Sequence, residues 1–263
     1  MVENITSAAN PLLKDVRRAI ARGGLTRQGW CIAETFHLLE EALRSGCDVK
    51  MVLAAESARD AVDTLAGDIK TAVLPDALFQ SISGTETAQG VMALVDPPES
   101  RMEQVVQGSA LVVVLDGLQD PGNAGAIVRA AEAFGATGAI FLKGTVSPYN
   151  PKTLRASAGS LFRLRLLHSL DAECARNALI ENRVRLYAAV PGHCNRSAQP
   201  LNVADFTMSC AVIIGNEARG VSPEWRSAAE HVSIPTVGVE SLNAAMAAGI
   251  LLYEARRQRT LPA

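Results

Sequence analysis

A chain of 263 residues, 48% hydrophobic and 20% charged, is long enough to bury a substantial core and to divide into two domains. At 4% aromatic residues it has few rings for a base-stacking platform, and a net charge of −2 excludes a uniformly basic nucleic-acid binder while leaving room for local basic faces. The opening MVENITSAANPLLK has neither the basic nor the apolar segment of a secretory leader, and no apolar run approaches the length of a membrane span; a cytoplasmic protein without membrane association is expected.

In chain order, Pro11 opens a predicted amphipathic helix over residues 11–22, with Leu12, Leu13, Val16, Ala19 and Ile20 on its apolar side. A basic cluster, Lys14, Arg17, Arg18, Arg22 and Arg27, faces only Asp15 among acids. Strands are predicted at 30–33, 49–54, 69–74 and 90–95, and helices at 35–43, 58–66 and 75–81, an alternation that predicts a compact α/β domain. Asp96-Pro-Pro-Glu-Ser100 and the polar residues that follow predict an extended linker, which places domains at 1–98 and 107–263 with 99–106 between them. Beyond it, 110–115 is a continuous Val-rich run, as in a parallel strand covered on both faces. A helix at 124–134, a strand at 138–142, a strand or turn at 162–166, a helix at 172–181, strands at 185–190 and 210–214, a helix at 223–229, a strand at 231–234 and a final helix from Leu242 to about Arg257 complete the pattern. Lys152, Arg155, Arg163 and Arg165 form a second basic cluster with no acid among them.

Generic catalytic motifs are absent. GLQDPGNAG after the 110–115 strand is not GxGxxG, and Val221-Ser222 stand where a P-loop needs Lys and Ser/Thr. His37 lies in HLLEE rather than HExxH, and His193-Cys194 has no second closely spaced pair, so no metal site is expected. Val239-Glu-Ser-Leu242 lacks the glycines of a nucleophile elbow. The five cysteines, Cys31, Cys47, Cys174, Cys194 and Cys210, form no CxxC pair and read as reduced, mostly buried side chains.

Three junctions share one form, an apolar strand that ends in small and polar residues: Asp116 to Arg129, Gly215 to Gly220 and Ile234 to Asn243. Ligands of parallel α/β sheets gather beyond the carboxyl ends of strands, which predicts that Asn123, Arg129, Asn216, Glu217, Ser241 and Asn243 share one crevice. Taken singly, each fits an alternative: a cap or turn for Asn123, Asn216, Ser241 and Asn243, an ion pair for Glu217, and a solvent-facing helix position for Arg129.

Together, NAGAIVRAAEAFGA from Asn123, IIGNEARGVSPE from Ile213 and IPTVGVESLNAAMAAGILLYEA from Ile234 resemble the three ordered motifs of the SpoU/TrmH branch of SPOUT RNA 2′-O-ribose methyltransferases. The resemblance implies a carboxyl-terminal α/β parallel-sheet domain with a deep trefoil knot, homodimerisation through that domain, and S-adenosylmethionine as methyl donor. It carries Asn123, Arg129, Glu217, Ser241 and Asn243 over as catalytic residues, and Gly215, Ile234, Leu242 and Asn243 as cofactor contacts. ITSAANPLLKDVRRAIARGG and CIAETFHLLEEALRSG resemble a smaller L30e-like α/β substrate-binding domain, in which Thr35 stands where relatives often have Gly. Lys14, Arg17, Arg18, Arg22 and Arg155 are then the expected RNA grips. Structured RNA is the implied partner, large ribosomal RNA before tRNA; a non-catalytic RNA-binding role in ribosome assembly is the rival reading. SLNAAM replaces the commoner SLNVSV, and Ala218 a usual Gly, while the principal polar groups are retained.

Overall fold

Residues 2–192 and 198–260 are described by the computed structural model. They divide into two units, and the chain crosses from one to the other at 98–99, 146–147 and 163–164. The first 98 residues supply β1 (Val2–Asn4), α1 (Pro11–Arg22), β2 (Cys31–Ala33), α2 (Phe36–Arg44), β3 (Asp48–Ala55), α3 (Arg59–Ala66), β4 (Thr71–Leu74), α4 (Asp76–Ile82) and β5 (Val91–Asp96). Their sheet runs β1-β4-β3-β5-β2, with β5 antiparallel to both its neighbours. Helix α1 forms where expected because Asn10 accepts the Leu12 N–H at 2.9 Å, Pro11 fits the first turn, and Gly23 closes the end at φ 63°. Its apolar side buries Leu13, Val16 and Ala19 against a core with Ile32, Leu53, Phe79 and Leu94. Lys14, Arg18 and Arg22, four residues apart, share its exposed side.

Downstream lie α5 (Met102–Val105), β6 (Leu111–Asp116), α6 (Pro121–Ala133), β7 (Gly138–Leu142), α7 (Pro151–Ser157), β8 (Leu166–Leu170), α8 (Ala172–Glu181), β9 (Arg185–Ala189), β10 (Gln199–Pro200), β11 (Cys210–Gly215), α9 (Pro223–Ala228), β12 (Glu230–Ser233) and α10 (Ala244–Thr260). All but α7 belong to the second unit. Its seven-stranded sheet runs β10-β12-β9-β11-β6-β7-β8 and every pairing is parallel. Leu111 to Leu115 are fully buried, as the Val-rich run required. Strands β6 and β11 end side by side, with Ile214 opposite Leu115 and Gly215 opposite Asp116, so their outgoing loops are neighbours.

Several expectations shift, each for a local reason. Helix α6 starts at Pro121 rather than 124, because Asp120 caps the Asn123 N–H at 2.6 Å and Pro121 fits the first turn. Leu242 is outside α10, since Asn243 takes the capping position. The expected linker 99–106 contains α5, held by buried Val105, whose carbonyl accepts from Thr137 Oγ1 at 2.6 Å. Phe162 lies in a 3-10 turn after Gly159, and the strand begins only at Leu166. Strands β1 and β10, three and two residues long, carry too little pattern to be foreseen. Cys31 and Cys210 are buried, but Cys174 is exposed and Cys47 half-buried; His193 and Cys194 lie outside the described residues.

The end of α10 fastens the amino-terminal edge of the sheet. Arg259 donates from Nε to the Phe206 carbonyl at 2.8 Å, from Nη1 to that of Ser109 at 2.9 Å, and from Nη2 to those of Ala110 at 2.9 Å and Met208 at 2.6 Å. One guanidinium thus binds both segments that lead into β6 and β11, with carbonyl dipoles as its only hydrogen-bonding oxygens among the described residues. Gln258 adds bonds to the Ala204 carbonyl and from the Phe206 N–H. Replacement of Arg259 by Ala is expected to lower the free energy of unfolding by about 2 kcal/mol, since four carbonyls, two of them part-buried, lose a charged donor at once. Lys, with fewer donors and no planar fork, should restore only part of it; urea denaturation of the three proteins measures both.

Candidate active site

The loops that leave β6 and β11 are built to hold each other. After β6, Gly117 turns at φ 71°. Its carbonyl accepts from Asn216 Nδ2 at 2.8 Å, while Asn216 Oδ1 accepts from the N–H groups of Ala218 and Arg219, both at 3.0 Å. Asn216 and Gly220 exchange backbone hydrogen bonds, which folds the second loop back on the strand it left. That reversal explains Gly215: a Cβ there would sit 2.1 Å from the Gly220 carbonyl carbon and the Val221 nitrogen, both backbone atoms that cannot step aside. Asp116 reaches across to the Ser222 N–H at 2.7 Å and so sets the start of α9.

Glu217 is the hub. Its carboxylate accepts from the backbone N–H groups of Gln119 and Asp120 and from Asn123 Nδ2, each at 3.2 Å. Asn123 Oδ1 in turn accepts from Asn243 Nδ2 at 2.9 Å, and Asn243 Oδ1 caps α10 by accepting from Ala245 and Met246. A continuous chain of hydrogen bonds, Glu217 to Asn123 to Asn243, therefore joins the three junctions. Burial pushes the Glu217 carboxyl up, but hydrogen bonds from its own backbone, Asn123, Asp120 and Gln119 outweigh that, leaving its pKa below the ordinary 4.5.

Beside this chain opens a pocket of about 630 Å³, within the range of small-molecule sites. Gly215, Glu217, Ile234, Ser241, Leu242 and Asn243 all line it, so all four expected cofactor contacts and three of the expected catalytic residues come together. Asn123 reaches the same place through its bonds to Glu217 and Asn243. Ser241 is exposed and caps nothing, in contrast to Asn243. Arg129 does not line the pocket; it lies exposed on α6, six residues beyond Asn123 and so about 9 Å further along the helix axis, without a hydrogen bond or ion pair to any described residue. Glu217 restrains the backbone donors of the first loop and not Arg129.

Of the expected RNA grips, Lys14, Arg18 and Arg22 are exposed and make no side-chain bond to a described residue. Arg17 is partly spent on Ser81 Oγ at 2.9 Å. Arg155 is a correction: it is paired with buried Glu34 at 3.1 Å, and Arg163 of the same cluster with buried Glu41, so these charges are committed inside the first unit. Asp116, Gln119 and Asp120, and the pocket wall at 189–192, also build the site, beyond the residues expected there. Asp120-Pro121 was legible as a cap followed by a first-turn proline. The wall carries no side-chain signature.

Known proteins resemble this chain along most of its length. Residues 110–253 match the SpoU rRNA methylase family, and residues 10–93 match the MRM3-like substrate binding domain. A 23S rRNA guanosine 2′-O-methyltransferase of Bacillus subtilis is 31% identical over 97% of this chain and 100% of its own length. A 23S rRNA uridine 2′-O-methyltransferase of Streptomyces viridochromogenes is 33% identical over 90% of this chain and 86% of its own. Among solved structures, an AdoMet-bound rRNA methyltransferase from Sinorhizobium meliloti superimposes with a TM-score of 0.81 at 27% identity, covering 97% of this chain and 98% of that one.

The depressed Glu217 pKa has a definite sign. The ionised carboxylate stabilises the joined loops at every pH above its ordinary value, and that contribution is lost only as pH falls through the lowered one. A carbon-detected NMR titration should find the Glu217 midpoint below 4.5, with the Gln119 and Asp120 amide shifts following the same curve. Asn123→Ala, which removes one donor, should move that midpoint upward.

Proposed function

Because the chain belongs to the SpoU rRNA methylase family, we propose that it transfers a methyl group from S-adenosylmethionine to a ribose 2′-hydroxyl of ribosomal RNA, the large-subunit RNA first. The observation that carries this reading is the pocket at the ends of β6 and β11, walled by the loops that Glu217, Asn123 and Asn243 fasten together. The residues present fit the donor. Gly215 and the reversed 216–220 loop offer close backbone approach; Ile234, Leu242 and Leu251 offer apolar surface; and Ser241 and Asn243 offer polar contacts. Bound there, S-adenosylmethionine supplies a methyl group already activated on a sulfonium, so the protein needs no covalent nucleophile.

The chain's own residues position and neutralise. Glu217, Asn123 and Asn243 preorganise the loops, which lets rigid placement supply much of the rate. Arg129, exposed and unpaired among the described residues, binds the RNA phosphate or 2′-oxygen and stabilises the charge that develops as the hydroxyl loses its proton. A guanidinium is too basic to be an ordinary proton acceptor, so the proton leaves to phosphate or water. On the first unit, the exposed stripe of Lys14, Arg18 and Arg22 grips phosphates without reading bases.

The same reading includes the knotted carboxyl-terminal crossing, a cytoplasmic location and a homodimer through the second unit. Exposed Met246 and Tyr253, two turns apart on one side of α10, support the dimer. No helix among the described residues is long and apolar enough to cross a membrane.

Incubation with separate ribosomal and transfer RNA pools and radiolabelled S-adenosylmethionine, followed by mapping of the labelled ribose, tests the function. Label on a 2′-oxygen of ribosomal RNA is expected; RNA binding without any affinity for the donor or its demethylated product would instead favour an assembly role. Arg129→Lys should retain RNA affinity but lose roughly tenfold or more in turnover, because it lacks the planar fork. Neutralising Lys14, Arg18 and Arg22 together should weaken RNA binding more at low than at high salt and flatten the salt dependence by about two to three charges; fluorescence anisotropy over a salt series reads this directly.

A further inference from the structure

The segment 147–163 lies between two strands of the donor-binding sheet, β7 and β8, yet packs as part of the first unit. Its fit there is close. Asn150, which caps α7, occupies the space beside Gly23, where a Cβ would come within 2.4 Å of its amide nitrogen. Gly159 lies against Glu41, and a Cβ at 159 would come within 2.6 Å of the Glu41 Cβ. Two buried carboxylates hold the segment by charge. Glu34, 2% exposed, accepts from Thr85 Oγ1 at 3.1 Å, from the Gly84 N–H at 3.3 Å, from Ser83 Oγ and from Arg155 Nη1 at 3.1 Å. Glu41, also buried, pairs with Arg44 at 2.8 Å and with Arg163. Within residues 1–98, Glu34 has neutral donors and no bonded cation among the described residues; Arg155 supplies the charge.

The residues that lead into this segment bond the candidate site directly. The Gly144 carbonyl accepts from Gln119 Nε2 at 2.6 Å, Thr145 Oγ1 accepts from the Gly117 N–H at 3.0 Å and donates to the Leu115 carbonyl at 2.9 Å, and the Val146 N–H donates to the Leu118 carbonyl at 2.8 Å. Gln119 and Asp120 are the backbone donors that Glu217 receives. A connected path therefore runs from Glu34 and Arg155 along the chain to 144–146, across to 117–120, and into the Glu217–Asn123–Asn243 chain.

We propose that Glu34 and Glu41 are positioning residues for methyl transfer, which act through Arg155 and Arg163 to anchor the β7–β8 excursion in the RNA-gripping unit and so brace the 117–120 loop. This rests on the RNA methyl-transfer reading above. A buried ion pair suits the task because removal of one partner leaves a charge that the site cannot solvate, so the anchored arrangement is strongly preferred to a loosened one.

The test uses the full chain, as wild type, Arg155→Met, Arg155→Lys and Glu34→Gln, with three readouts: S-adenosylhomocysteine affinity by calorimetry, hydrogen exchange by mass spectrometry, and single-turnover transfer to a ribosomal RNA fragment that the wild type methylates. Arg155→Met is expected to bind the cofactor product within about twofold of wild type, to exchange faster at 144–146 and 117–120, and to transfer methyl roughly 10- to 100-fold more slowly, the scale of a small misplacement at a reacting centre. Arg155→Lys, which keeps the charge, should recover part of the rate. Unchanged exchange at 117–120 with unchanged transfer overturns the proposal, as does a rate loss matched by lost cofactor-product affinity and non-cooperative unfolding. Should Arg155→Met fail to fold, the isosteric Glu34→Gln is read by the same criteria. If the wild type methylates no RNA while exchange at 117–120 still responds to Glu34→Gln, the brace stands and the substrate reading falls.

Discussion

Two parallel strands that end side by side leave backbone donors pointing into the same space, and something must accept from them. In this protein the Glu217 carboxylate does so, taking N–H groups from the neighbouring loop at Gln119 and Asp120 as well as the Asn123 amide. The constraint is mutual: the loop after β6 is held by Glu217, and those donors keep the Glu217 pKa below its ordinary value despite burial. Asn123 passes the arrangement to Asn243, and Asn243 starts α10. Pocket wall, helix origin and loop conformation thus follow from one cluster of hydrogen bonds. A side chain assigned to chemistry by resemblance is, in this geometry, first of all an architectural one.

How far the residues alone led depended on the range of the interaction. Helix α1 was legible to the residue because Asn10, Pro11 and Gly23 are local signals. Helix α8 was legible from its bounds, and the buried run of β6 from its valines. The start of α6 lies three residues before the expected one, because Asp120 and Pro121 begin the helix ahead of Gly122 and Gly125. Gly215 could be picked out by resemblance, but the reason for it, a backbone returning to within van der Waals contact, is visible only in three dimensions.

Charge shows the same division more sharply. Both basic clusters look alike along the chain, each a group of cations with little acid nearby. One of them, on α1, does face solvent at Lys14, Arg18 and Arg22. In the other, Arg155 and Arg163 meet Glu34 and Glu41, more than a hundred residues earlier. Local composition cannot distinguish a cation waiting for a phosphate from one already neutralised. The buried acids were the clue, since a carboxylate in an apolar stretch such as CIAETFHLLEEAL demands a cation from somewhere.

The tight reversal at Gly215 has one more consequence. Because the 216–220 loop is held by backbone bonds between Asn216 and Gly220 and by the Asn216 side chain, its curvature is settled before any ligand arrives. A small molecule entering there meets a main chain whose path is already fixed and forfeits little conformational entropy in ordering its host. Recognition of this kind tolerates drift in side chains along the rim, such as Ala218, as long as the main chain keeps its path.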